Sequence, residues 1–473
     1  MRSRTKKLIA LGVAFTVSLR LFVFGLSYPL LLRVRGDAYG YLDIARQLTD
    51  WSAVLSFAGN RVVGFPFFEV VVGKIVSVFF SSYTLLAWVN AIGVALLIIH
   101  IASAWVLSRW ARNTNLIATE NAALILFVFF ATFPALIGHT TTPLSDTLAV
   151  DLVVCALMSM HVSLKHDVGF KSFVWAGLAA FLFAFSILVR PGNLSGVVAA
   201  LMTGMVVALW TANRKATVVG VIMLGCAGVL APYYFNCTQK YGSVCLQSPA
   251  TFGSVDSAQV GLLGARLLWG KGEWSPGKFP VMPDEIMFTN YYQRCQLKTI
   301  VGITDSSLTG CLMTRPLALP AYMVKKWIGL FDHFRFTPYL EEVTPAWLRW
   351  LSRGYDSLAW IGLWLFFLTL CYWKKGAQPS EIRAKLLGSL TPLLLVSYSI
   401  VMLAQHTVLH VEDRYGFPLL ALCAIMLVSY GERVIRDYRI VGLRRLAPLI
   451  LYCVAAWVVF VVQIIVWDNA TFN

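Results

Sequence analysis

Long apolar runs separated by short polar breaks set the pattern of this chain. The runs are continuous rather than alternating, so each reads as a helix, and several exceed the roughly 18 residues needed to cross a bilayer's hydrocarbon core. Only helices or closed barrels can span lipid, because every backbone polar group must be satisfied internally. The unbroken runs decide for helices. About eleven spans are predicted, at 8–32, 84–108, 117–138, 143–164, 172–190, 194–211, 216–234, 357–373, 384–404, 415–430 and 446–467. The first is too long for a signal-peptide core and lacks an Ala-x-Ala cleavage site, so it reads as a retained membrane helix.

Every second short loop is basic. Arg2, Arg4, Lys6 and Lys7 precede the first span; Arg109 and Arg112, Lys165, Arg214 and Lys215, Lys374 and Lys375, then Arg433 to Arg445 follow. Basic loops face inward, which places the N-terminus inside and the C-terminus outside. Two outer segments stand out. In 33–82, residues 38–49 read as an amphipathic helix. A break at Asn60–Pro66 follows, then a short helix carrying Glu69 and Lys74; both helices are expected to lie along the interface. The alternative, in which 65–82 crosses the membrane, inverts everything after it and spoils the charge alternation. The second segment, 235–356, is polar and rich in Pro, Gly and Trp. The chain thus divides into a module at 1–234 whose outer loop 33–82 carries the chemistry, an outer loop or small domain at 235–356, and C-terminal helices at 357–473.

Composition agrees with this class. The chain has 473 residues, 58% hydrophobic and 13% charged, with mean hydropathy +0.71. The net charge of +16 mostly reports topology, since the basic residues are scattered among loops and form no nucleic-acid patch. Cys237, Cys245, Cys295 and Cys311 fall in the outer segment, and the other five cysteines fall in apolar spans. Four cysteines in an oxidising compartment suggest disulfides; proximity favours Cys237–Cys245 and Cys295–Cys311, with free buried thiols as the other reading.

The candidate chemistry sits at the outer ends of spans. Asp37 lies just beyond the first span. A carboxylate there can act as a general base or ligate a hard metal, or simply cap the helix that follows. Asp146 enters the fourth span from the hairpin His139–Asp146, where it can share that work or serve as a favourable helix-terminal charge. Asp151, deeper in the same span, is expected to face an interior cavity. Arg190, in the turn Arg190-Pro191-Gly192-Asn193, suits a phosphate or reaches for the interface. His406 and His410 stand four apart with Glu412, Arg414 and Tyr415 beside them. That spacing is a weak zinc signal, and a phosphate site made from His410 and Arg414 is favoured.

The order of these features is similar to the GT-C superfamily of integral-membrane glycosyltransferases. The features are an outer aspartate, an Arg…Gly-Phe-Pro break, an acidic hairpin and an Arg-Pro turn. Pro232-Tyr233-Tyr234-Phe235-Asn236 then leads into a large outer loop, and His410-x-Glu412-x-Arg414-Tyr415-x-x-Pro418 comes last. The nearest branch resembles the aminoarabinose transferases and protein O-mannosyltransferases. The resemblance implies a sugar donor linked to polyprenyl phosphate, an acceptor that is a glycan, lipid or protein, and inverting transfer at the extracytoplasmic face; the short inner loops and lack of targeting signals suggest a bacterial inner membrane. It implies catalytic roles for Asp37 and Asp146, and donor phosphate binding by Lys74, Arg190, His410 and Arg414. Tyr39, Arg61, Glu412 and Tyr415 would line the pocket. The Asp-Glu pair common in that superfamily is here Asp37-Ala38, which favours a lone general base. No cofactor is required; a divalent metal stays open, with His406 and His410 as the weak candidates. A transporter or flippase, and a polymerase or ligase using a diphosphate-linked donor, are the competing readings.

Overall fold

The computed structural model describes residues 2–34, 37–48, 51–55, 62–79, 84–166, 169–211, 213–241, 324, 327–333, 344–371, 390–408, 413–441 and 443–471. Every regular element among them is helical. In chain order these are α1 (Arg2–Leu26), α2 (Leu30–Arg33), α3 (Asp37–Gln47), α4 (Trp51–Leu55), α5 (Gly64–Phe79), α6 (Leu85–Asn113), α7 (Glu120–Ala131) and α8 (Pro134–Thr140). Then come α9 (Ser145–Lys165), α10 (Phe170–Val189), α11 (Asn193–Thr211), α12 (Asn213–Tyr241), α13 (Ala346–Cys371), α14 (Leu390–Val408), a 3-10 turn at Asp413–Gly416, α15 (Phe417–Val441) and α16 (Leu443–Thr471). The chain is an all-α polytopic membrane protein. Eight described helices are long and apolar enough to cross a membrane, or nine if α7 and α8, bent by 48°, form one broken span. Shorter apolar stretches lie in α14 and α16.

Four expected boundaries move, each for a local reason. The first span stops at Leu26, not 32, because Pro29 supplies no N–H and disfavours helix at Tyr28; Ser27 closes α1 by donating its hydroxyl to the Phe24 carbonyl at 2.6 Å. The break at Asn60–Pro66 ends early. Helix α5 begins at Gly64, with Pro66 in the first turn, where a missing N–H costs nothing. Helix α12 runs on to Tyr241 with Pro232 inside it, so the boundary at 234/235 falls within a helix. Helix α13 begins at Ala346, and the boundary at 356/357 also falls within a helix. Its first turns read as polar loop because of Arg349, Arg353 and Asp356, but Asp356 is fully buried.

Helix α9 is the pivot of the bundle. It packs against both α10 and α6, and along its apolar stretch 72% of residues are buried, the same share as α15 and well above 33% for α1. Membrane helices gain from close packing rather than from leaving water, so the most enclosed helices are the ones that hold fixed geometry. The hairpin between α8 and α9 is buried throughout, including His139, Thr140, Thr141, Thr142, Ser145 and Asp146. Gly93 of α6 lies against it, since a Cβ there would come 2.8 Å from the Thr140 carbonyl oxygen. Cys237 is buried and disulfide-bonded. Cys245, Cys295 and Cys311 lie outside the described residues, while Cys155, Cys226, Cys371, Cys423 and Cys453 are free thiols.

Candidate active site

Four residues from four separate segments meet at the mouth of the α8–α9 hairpin. Asp146, in the first turn of α9, accepts the Arg190 guanidinium through Oδ1. Its Oδ2 lies 3.9 Å from Arg414 Nη1 and 3.7 Å from His139 Nδ1. The other arm of Arg414 reaches Asp37, with Nη2 2.8 Å from Oδ2. Arg414 therefore bridges the two carboxylates. Among the described residues two carboxylates meet two guanidiniums, and such pairing is what makes charge tolerable where it is mostly buried. The Asp37 side chain keeps 25% of its exposure, whereas Asp146 keeps 3%.

Each member is fixed from behind. Asp37 opens α3, which packs against α5. The Tyr41 ring of α3 meets Phe65 of α5 edge to face, and its hydroxyl lies 3.2 Å from the Ser145 hydroxyl. Arg190 follows α10 with extended backbone. Beyond it, Asn193 N–H returns to the Arg190 carbonyl, the Asn193 side chain accepts the Tyr398 hydroxyl of α14 at 3.1 Å, and Ser195 bonds Gln405. Arg414 rides on the 3-10 turn, where Gly416 sits directly against the Leu330 carbonyl. The next residue, Phe417, has its ring between His139 at 4.7 Å and His333 at 5.0 Å, centroid to centroid. His333 is held by Asp356, which takes its backbone N–H at 2.8 Å and its Nδ1 at 2.6 Å. The stretch 327–333, near the end of the long polar segment, is thereby tied to the same wall.

Of the residues predicted from sequence, Asp37, Asp146, Arg190 and Arg414 come together. Lys74 is exposed on α5 and makes no ion pair among the described residues. Tyr39 is exposed, and it is Tyr41 that faces the cluster. His406 is buried near the end of α14. Arg61, His410 and Glu412 lie outside the described residues, as does the side chain of Tyr415. No group of three or more His, Cys, Asp or Glu among the described residues is placed to hold a metal. Asp151 belongs to another cluster: it meets His100 Nδ1 of α6 at 3.2 Å and the Ser103 hydroxyl, while His100 Nε2 lies 3.1 Å from the Phe130 carbonyl. Sequence reasoning missed His139 and Tyr41. The signal for His139 was present, a histidine in the same short polar hairpin as Asp146.

Glu69, marked in the sequence only as a feature of α5, is fully buried. Neither carboxyl oxygen has a hydrogen-bond partner among the described residues. Burial pushes its pKa well above the ordinary value, since desolvation penalises the charged carboxylate and the neutral form is the cheaper one.

No family model matches the chain, and no curated protein matches it. Among solved structures, the Archaeoglobus fulgidus oligosaccharyltransferase in complex with Zn and sulfate aligns at 12% identity with a TM-score of 0.48, over 94% of this chain and 52% of that one. The same enzyme tethered to an acceptor peptide containing the NVT sequon gives 12% and 0.46, over 94% and 55%. The archaeal oligosaccharyltransferase AglB with an inhibitory peptide and a dolichol-phosphate gives 12% and 0.45, over 94% and 55%. The chain spans about half the length of these proteins. A likeness at this level names no activity for it.

Proposed function

We propose that this chain is a membrane glycosyltransferase that moves a sugar from a polyprenyl-phosphate donor to an acceptor at the extracytoplasmic face of a bacterial inner membrane. The observation that carries this reading is the convergence of Asp37, Asp146, Arg190 and Arg414. Carboxylates and guanidiniums in one place are what such a transfer requires. An acceptor hydroxyl or amine attacks the anomeric carbon, and the bond from that carbon to the phosphate oxygen breaks. Its electron pair leaves with the polyprenyl phosphate, and the acceptor's proton passes to a carboxylate. Attack opposite the leaving group inverts the anomeric centre.

Asp37 is the general base in this scheme. It is the more accessible carboxylate, and Arg414 orients it through the contact at 2.8 Å. Asp146 is a positioning residue, sharing Arg190 and Arg414 so that guanidinium charge faces the departing phosphate. Lys74 and His410 remain candidates for the same phosphate.

The test is mass spectrometry of lipid extracts from cells lacking the protein, complemented with wild type or Asp37→Asn. A polyprenyl-phosphate monosaccharide should accumulate without the protein, clear with wild type and persist with the variant, whose turnover should fall by about 10²–10⁴-fold. Clearance by Asp37→Asn would remove Asp37 as base. An unchanged lipid pool, with labelled lipid crossing proteoliposomes that hold the protein, would replace the transferase with a flippase.

A further inference from the structure

Three arginines touch the α8–α9 hairpin. Arg190 and Arg414 are each matched by a carboxylate. Arg33 is not. It is 1% exposed, its Nε donates to the Thr141 carbonyl at 2.8 Å and its Nη1 to the Asn90 amide oxygen at 2.9 Å. Both acceptors are neutral, and Nη2 has no hydrogen-bond partner among the described residues. Burial lowers the pKa of this guanidinium to about 10, so it stays charged at neutral pH. A buried cation without a counter-charge is costly, and buried polar groups in folded proteins are nearly always paired.

The guanidinium is also held in one orientation. Thr141 belongs to the hairpin that presents His139 and Asp146. Asn90 lies one turn from Gly93, the residue that brings α6 against Thr140. Two arms of the fork are therefore spent on fixed oxygens, and the third, Nη2, is enclosed with no hydrogen-bond partner among the described residues. That arm carries two N–H donors on a delocalised cation, which suit a phosphate oxygen. Among the described residues Arg190 and Arg414 are already shared with Asp37 and Asp146, so a phosphate bound beside them gains from a further cation. Arg33 supplies that charge.

We infer that Arg33 is the principal counter-charge for a phosphate group bound beside the Asp37–Asp146 cluster. The inference rests on the proposed donor class for the identity of the lipid that carries the phosphate. The test uses the full chain in detergent and measures affinity for a short-chain polyprenyl monophosphate, phosphatidylglycerol and inorganic phosphate. The variants are Arg33→Gln and Asn90→Asp; the second places a carboxylate on the same guanidinium without removing it. Wild type should bind the polyprenyl phosphate in preference to the other two. Both variants should weaken that binding roughly tenfold or more, and Asn90→Asp should also raise the unfolding temperature without ligand, because it pairs a buried cation. If Arg33→Gln fails to fold, Asn90→Asp decides alone. Equal binding by wild type and variants overturns the Arg33 assignment and leaves the donor class standing. Arg33-dependent binding of inorganic phosphate or phosphatidylglycerol, with none of polyprenyl phosphate, keeps the anion site and overturns the donor class. No binding to wild type overturns both.

Discussion

Asp146 is the carboxylate that Arg190 and Arg414 share. Asp146→Asn removes that charge from two largely buried guanidiniums, and breaking a buried pair from one side costs about 3–5 kcal/mol. Thermal unfolding in detergent should show that loss for Asp146→Asn and a smaller one for Asp37→Asn, whose side chain retains a quarter of its exposure. An Asp146 variant as stable as wild type would mean that the bundle holds Arg190 and Arg414 without it. Glu69 makes the opposite kind of prediction. Its folded pKa is raised, so its contribution to stability is complete below the ordinary value of 4.5 and is lost as pH rises through the folded value. Glu69→Gln is neutral at every pH. Its unfolding temperature should match wild type in acid and exceed it increasingly as pH rises; a flat difference between pH 4 and 8 would contradict the neutral-carboxyl reading. The ionisable residues were conspicuous in the sequence because each interrupts an apolar stretch. Their pairing was not, because Arg414 and Asp37 sit at opposite ends of the chain and no spacing rule connects them. Nothing in the sequence set Arg33 apart; its neighbours do.

Helix ends carried more than the sequence disclosed. Pro29 and Pro66 were visible, yet a proline can stop a helix, start one or sit inside one, as Pro232 does in α12. Which it does depends on what packs around it. The polar start of α13 was misread as loop because the partner of Asp356, His333, arrives from the far end of another segment. Close approach between elements gives two paired predictions. Gly93→Ala would push its Cβ toward the Thr140 carbonyl and the Phe22 ring, whereas Gly177 has nothing within 4 Å of the added atom. Gly93→Ala should lower activity and destabilise by about 1–3 kcal/mol. Gly177→Ala should be neutral or slightly stabilising, as alanine is in a helix interior. Gly416→Ala meets the Leu330 carbonyl, a backbone atom that cannot swing aside. It should displace the turn that carries Arg414 and reduce turnover more than it reduces folded yield; equal losses in both would reduce Gly416 to a packing residue.

At the scale of the whole molecule, the all-helical polytopic class was readable because the apolar runs are long and unbroken. The segment 235–356 was readable only as polar chain, since it lacks a period from which contacts can be inferred. Its stretch 327–333 joins the site wall through Phe417, between His139 and His333. The pairing of charge within the cluster bears on how the protein meets its surroundings. Ions in the bathing solution screen exposed charges over about 10 Å at 0.1 M, but hardly reach a buried pair. Raising the salt should therefore leave the cluster and the turnover of prebound substrate almost unchanged, and slow only the approach of an anionic lipid past the exposed charges of the surface. For this protein, ionic strength becomes a way to separate capture of the substrate from the chemistry that follows.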